Sequence, residues 1–217
     1  MIHEVDEALQ GLLGEDILSA TGAEVVFEAP TRGWAARRSG PAINVFLYDV
    51  REDLLRRQQG RLAEPDTNGI TAAVHEPPRW YSLSYLVTAW TKRPQDEHRL
   101  LSVLLAGLAG EGYLPPARLT GSLADLGLTV PVSIALPPTE NRALADVWSA
   151  LGGELKPSLD LVVTAPLVPR GRPAAPPVSE ALELRVHDRS DAPDAAGRTE
   201  TRRRLRGPSA AQGPVRR

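Results

Sequence analysis

The chain has 217 residues, 42% hydrophobic and 24% charged, close to the proportions of a globular domain. It has no cysteine, which excludes disulfides, thiolate catalysis and Cys-ligated metals. The net charge of −2 hides an asymmetry: Arg170 to Arg217 hold eleven arginines against six carboxylates, a surplus of +5, which leaves the remainder at −7.

An acidic domain, Met1 to Val168, followed by a basic tail is therefore expected. Aromatic residues make up only 5%, so the core must be mostly Leu, Val and Ala. The opening MIHEVDEALQGLLGED is acidic and lacks an apolar centre, unlike a secretory signal. The best apolar stretch, Leu100 to Ala109, is broken by Ser102 and Gly107 and is too short for a bilayer. A soluble protein, assembled in the cytoplasm without membrane contact, is the expectation.

Ile2 to Gly14 reads as a helix. Val5, Leu9, Leu12 and Leu13 share one face of a 3.6-residue period, and Gly14 is its expected stop. Ala23 to Glu28 reads as a short strand closed by Pro30. Thr31 to Gly40, with Trp34, reads as a loop. Ala42 to Asp49 is a stronger strand with Ile43, Val45 and Leu47 on one side and Asn44, Phe46 and Tyr48 on the other. Large groups on both faces predict a strand covered from two sides.

Arg51 to Pro78 is charged and poorly periodic, with a turn cluster PDTNG at Pro65 to Gly69. Excursions of such length in compact domains tend to be functional or disordered. Arg79 to Thr91 is the strongest strand: Tyr81, Leu83, Tyr85, Val87 and Ala89 alternate with Trp80, Ser82, Ser84, Leu86, Thr88 and Trp90. At about 3.3 Å per residue it spans roughly 43 Å, long enough to bend or to leave the sheet toward another subunit.

Asp96 to Gly110 predicts a helix, with Leu101, Leu104, Leu105 and Leu108 in register. Asp96 and Glu97 suit its N-terminal dipole, and Pro115 and Pro116 forbid continuation. Leu128 to Leu136 alternates as a strand, and Pro131 within it favours an edge or a bulge. Asn141 to Leu151 predicts a helix ended by Gly152 and Gly153, and Leu159 to Ala165 a last strand. The order α-β-β-β-α-β-α-β predicts an α/β (α+β) fold with a mixed, largely antiparallel sheet and helices packed on it. From Pro166 the pattern collapses. Residues 169–217 are Pro- and Arg-rich and too polar to offset their ordering entropy. A short extra strand at Leu184 to Val186 is the one regular segment they suggest.

The chemistry-bearing residues form no catalytic set. His3, His75, His98 and His187 show no i, i+4 spacing, and no H-E-x-x-H, Walker A, G-x-G-x-x-G or G-x-S-x-G pattern occurs. Asp49, Glu52 and Asp53 offer a metal or acid/base cluster at a strand end. They equally suit a solvated loop paired to Arg51, Arg56 and Arg57, and no third ligand is evident. Arg202 to Arg206 suits a phosphate backbone, but no aromatic is interleaved to stack on bases. No catalytic residue, cofactor, metal or nucleic acid is expected. Trp80 and Trp90 mark the two ends of the long strand, either as buried core or as an intersubunit contact.

Several segments carry a resemblance: P-A-I-N-V-F-L-Y-D-V-R-E (Pro41 to Glu52), Y-S-L-S-Y-L-V-T-A-W-T (Tyr81 to Thr91) and E-H-R-L-L (Glu97 to Leu101). V-W-S-A-L-G (Val147 to Gly152) and K-P-S-L-D-L-V-V-T (Lys156 to Thr164) continue it. In this order and spacing they resemble the N-terminal domain of the cap, or tail-terminator, proteins of contractile injection systems. The resemblance covers about Met1 to Val168. It implies a phage tail-terminator-like fold and a ring, expected to be a hexamer, on the last layer of inner tube and contractile sheath. It brings no catalytic residue. Where the family often has a polar pair after L-Y-D-V-R-E, this chain has Leu54 and Leu55. Candidate interface residues are Trp34, Arg51, Arg56, Arg57, Trp80 and Trp90. The alternatives are another baseplate or tube-associated subunit, a small α/β enzyme around Asp49 to Asp53, and a nucleic-acid binder acting through the arginine tail.

Overall fold

A computed structural model describes residues 1–60, 62–65, 71–137, 144–169 and 172–173. Its centre is a five-stranded sheet. The strands are β1 (Glu24–Val26), β2 (Ala42–Glu52), β5 (Arg79–Trp90), β6 (Val132–Ile134) and β7 (Ser158–Leu167), in the spatial order β1-β2-β5-β7-β6. Only β1 and β2 run parallel; the other pairs are antiparallel. Outside this sheet, β3 (Leu62–Pro65) and β4 (Thr71–His75) pair as an antiparallel hairpin.

Register assigns the two faces. Ile43 lies opposite Ala89, Val45 opposite Val87 and Leu47 opposite Tyr85, while Leu161 and Val163 face Tyr85 and Leu83. Paired residues share a face, so these apolar residues form one continuous surface. Helix α1 (Ile2–Gln10) covers it with Val5 and Leu9, and α3 (Pro94–Leu108) with Leu101, Leu104 and Leu108. Leu9, Leu83 and Leu104 are fully buried, each worth about 2 kcal/mol of transfer from water. The opposite face carries Ala42, Leu86, Thr88 and Trp90. Buried Trp34 and Trp148, on α2 (Arg32–Arg37) and α5 (Leu144–Ala150), lie outside the main core cluster together with Ala42 and Leu86. The sheet is thus covered from both sides, as the two-faced pattern of β2 predicts.

The first helix does not stop at Gly14. It continues as a π-helix, Gly11–Ile17, closed by Leu18 N–H donating to the Leu13 carbonyl at 2.9 Å. Gly14 lies within this segment rather than ending it. Thr31 to Gly40 is not all loop. Thr31 Oγ1 accepts from Trp34 N–H at 3.2 Å and caps α2. The excursion Arg51 to Pro78 holds the end of β2, a 3-10 turn at Leu54–Arg56 and the β3–β4 hairpin. Beyond Pro65, its PDTNG cluster lies outside the described residues.

The alternation from Leu128 to Leu136 yields only three strand residues. Pro131 bridges Tyr113 instead, and Ala135 at φ 53° turns the backbone away, leaving Leu136 61% exposed. These three residues, which follow Pro131, lie at the edge of the sheet beside β7. A 3-10 turn, Pro116–Arg118, and α4 (Gly121–Asp125) have no counterpart in the sequence expectations. The first three residues of the expected helix at Asn141, the segment Leu184 to Val186 and the arginines Arg202 to Arg206 lie outside the described residues. The elements described here belong to one compact unit, Met1–Arg172.

Candidate functional site

The six expected interface residues fall into two groups, one at each end of β5. The register makes this unavoidable: Trp90 pairs with Ala42 at the start of β2, and Tyr81 with Glu52 at its end.

At the Trp90 end, the Trp34 ring meets Trp90 edge-on, with centroids 5.1 Å apart and planes at 80°, a favoured aromatic geometry. The Arg38 guanidinium lies 5.4 Å above Trp34 and is bound to Glu24 at 2.5 Å. Trp90 Nε1 donates to Thr88 Oγ1 at 2.8 Å. Lys156 Nζ sits 4.1 Å from the Trp90 ring centroid and 2.6 Å from Glu97 Oε1. That oxygen also accepts from Thr91 N–H at 3.2 Å. Trp34 is 3% exposed, so its ring braces Trp90 from within rather than presenting a surface.

At the Trp80 end, Asp53 N–H donates to the Trp80 carbonyl at 2.8 Å, and Asp53 Oδ1 accepts from Leu55 N–H at 3.0 Å. These bonds fix the 3-10 turn against the strand. Arg56 then lies 5.1 Å over the Trp80 ring and 3.3 Å from Asp53. Arg57 lies 3.1 Å from Glu52, and Arg51 3.1 Å from Asp49. The carboxylates Asp49, Glu52 and Asp53 therefore occur as partners of Arg51, Arg57 and Arg56. Among the described residues no group of three His, Asp or Glu is arranged to hold a metal. His98 is exposed on α3, its carbonyl accepting from Ser102 Oγ at 2.7 Å. A polar hollow of about 290 Å³, lined by Arg57, Gln58, Gln59, Gly60, Glu76 and Arg79, adjoins this end.

Sequence reasoning missed a third feature. An open groove of about 450 Å³ runs along α1 and its π extension, lined by Asp6, Glu7, Gln10, Glu15, Phe27 and Arg118, among others. Arg118 holds Asp16 at 2.6 and 3.1 Å and Glu15 at 2.6 Å, and these bonds raise its pKa further. On the sheet side, the buried Tyr85 hydroxyl donates to Asp6 Oδ1 at 2.7 Å. Burial, with the Asp6 bond added, pushes the Tyr85 pKa up. Burial also raises Asp6, against the lowering effect of the Tyr85 bond. Arg118 stands more than a hundred positions from Glu15 and Asp16, so no local spacing announces the group. Lys156 had one signal: it is one of only two lysines in the chain.

Residues 4–180 match the Pvc16 N-terminal domain family. No curated protein matches the chain significantly. Among solved structures, the sheath/tube terminator of the PVC extracellular contractile injection system, in its extended state, shares the fold at a TM-score of 0.60. The two are 21% identical over 88% of this chain and 65% of that one. The tube-terminating cap of the anti-feeding prophage gives a TM-score of 0.58 at 24% identity, over 83% of this chain and 60% of that one. The chain thus spans less than two thirds of either solved chain. The mixed sheet with helices on it is the fold of these terminators. With most of its length matched, the chain belongs to the Pvc16 N-terminal domain family.

Proposed function

We propose that this protein is a structural terminator cap of a contractile injection particle. In this reading a ring of copies, six in number, sits on the last layer of inner tube and sheath. It blocks further subunit addition and couples the two cylinders during contraction. The observation that carries the reading is the family match over residues 4–180, supported by the fold shared with two terminators of such particles.

The role is one of binding, without catalysis. The carboxylates of the Asp49 to Asp53 segment are engaged by arginines, which suits a contact surface. Residues Met1 to Val168 form the assembling domain, and 169–217 are an accessory basic tail. Trp80, Arg51, Arg56 and Arg57 belong to a subunit contact, and Trp34 supports Trp90 in a second one. Assembly takes place in the cytoplasm before the particle is released. No helix among the described residues is long and apolar enough to cross a membrane.

The test is deletion of the gene in a producing strain, with particles imaged by electron microscopy. Expected are particles of uncontrolled length, or sheath detached from tube at one end, restored by the gene in trans. Particles of normal length and integrity would overturn the proposal.

A further inference from the structure

Two surfaces of this chain carry opposite charge layering. The first is the 3-10 turn after β2. Leu55 is 100% exposed and Leu54 66%, yet the turn is held by the Asp53 bonds to Leu55 and Trp80. Two adjacent leucines held outward on a fixed turn offer an apolar contact point. Val50, Leu167 and Val168, 38 to 42% exposed, add apolar surface at the same end of the sheet, where Leu167 pairs with Arg79. The charges around the turn are layered. The side chains of Arg51, Arg56 and Arg57 are 46 to 52% exposed, their partners Asp49, Glu52 and Asp53 only 20 to 24%. Guanidinium groups form the outer layer.

The second surface is the groove along α1. Its layering is reversed. Glu15 and Asp16 are 70% and 46% exposed, above Arg118 at 27%, and Glu7 stands exposed on the adjoining turn of α1. Here carboxylates form the outer layer. Phe27 and Ala117 add apolar lining. Gly11 has a reason to be glycine: a β-carbon there would lie 2.9 Å from Arg118 Nη1, so its absence lets the guanidinium lie against the helix. The groove, about 450 Å³, has ample room for two leucine side chains.

We propose that the Leu54–Leu55 turn of one copy docks into the α1 groove of a second copy of this chain. The leucines supply the desolvated centre, and outer arginines meet outer carboxylates around it. Arginines outermost on one patch and carboxylates outermost on the other, both carried by this chain, make a second copy the occupant that fits by charge. Two different patches meeting in this way make a heterologous contact, the kind that repeats around a ring. The proposal deepens the terminator reading and rests on it only for the ring.

The experiment is sedimentation velocity on the full chain over a concentration series. Wild type should self-associate. L54D/L55D should weaken association at least about tenfold, and R56E/R57E by a smaller factor that grows as salt is lowered. E7R/E15R, on the groove, should also weaken it and should restore association when mixed with R56E/R57E. An equimolar mixture of L54D/L55D with E7R/E15R keeps one good contact per pair, so it should stop at a dimer. The substituted side chains are exposed or part-exposed, so circular dichroism and melting should match wild type. L54S/L55S is the second variant should the aspartates disturb folding.

A wild type that stays monomeric throughout, L54D/L55D associating like wild type, or a mixture growing past a dimer would each overturn the contact. So would R202Q/R203Q/R204Q abolishing association while L54D/L55D leaves it intact, since the groove would then hold the neighbour's arginine tail. Imaging wild type with purified tube and sheath separates the two proposals. Density at particle ends with L54D/L55D binding equally well sinks the contact and leaves the cap. Association through the contact with no end density sinks the cap and leaves the contact.

Discussion

Glu4 is 7% exposed on the first turn of α1, where an unpaired carboxylate would be costly. It is not unpaired. Ser122 donates to it twice, from N–H at 2.9 Å and from Oγ at 2.6 Å, and the Met1 ammonium lies 3.0 Å away. Burial pushes its pKa up, but these bonds outweigh burial and hold it at about 2. The folded value lies below the usual 4.5, so the stabilisation is complete above that pH and is lost as pH falls toward 2. Glu4→Gln should therefore cost about 2 kcal/mol at pH 7. In urea unfolding the gap to wild type should narrow below pH 4.5 and close as pH approaches 2. A gap independent of pH would show that charge is not the source. Gly121 belongs to the same arrangement, since it has φ 52° and a β-carbon there would run into Glu4 Oε1. Lys156 and Glu97 make a comparable pair under Trp90. Lys156→Met strands a buried carboxylate and should cost about 2 kcal/mol, whereas E97Q/K156M should recover more than half of it. Chemical denaturation of the four-member cycle reads this directly.

Elements packed on one another explain what single residues do not. The π segment Gly11–Ile17 lies against α3 at Gly107, where a β-carbon would fall 2.8 Å from Ile17 Cγ2. Gly107→Ala raises helix propensity by about 1 kcal/mol but overpacks this contact by about 1–3 kcal/mol. The net effect should be destabilising, and I17A/G107A should be less destabilised than the sum of its single changes. Melting temperatures of the three variants test this. A stabilised G107A would mean the helices separate freely here. The same contact shows why the π extension was illegible. Gly14 looks like a stop in any local window, and only tertiary packing on α3 and Val25 keeps the helix running past it. Long elements with several periods were legible: α3 through Leu101, Leu104 and Leu108, and β5 through Tyr81 to Trp90. Helices α2 and α4, with one buried residue each, Trp34 and Leu123, complete no apolar period. Leu128 to Leu136 misled because alternation says nothing of the positive φ at Ala135. Of the candidate site, the Trp80 end was readable because Arg and Asp crowd together in sequence. The groove was not, because Arg118 reaches Glu15 and Asp16 from across the chain.

At the scale of the whole unit Met1–Arg172, the sheet separates two apolar layers of unequal size. The larger, under α1 and α3, is mostly leucine and valine. The smaller, on the opposite face, holds Trp34 and Trp148, with Trp90 at its margin. Far-ultraviolet circular dichroism is dominated by the helices of the larger layer, α1 and α3. Tryptophan fluorescence reports mainly the smaller layer, with Trp80 as the fourth ring at the far end of β5. The strands β2, up to its register shift between Leu47 and Asp49, and β5 contribute side chains to both layers by alternation. Neither layer can melt without stripping one face from the same strands and exposing Leu86 or Val87. The two probes should accordingly give one coincident urea transition with equal midpoints and slopes, as a two-state domain does. Trp148→Phe removes the largest fully buried side chain of the smaller layer and should cost about 1–3 kcal/mol. Because the layers are coupled through the strands, that loss should shift the circular dichroism midpoint as far as the fluorescence midpoint. If the fluorescence transition alone moved to lower urea, α2 and α5 would be a separately melting cover rather than part of one cooperative core.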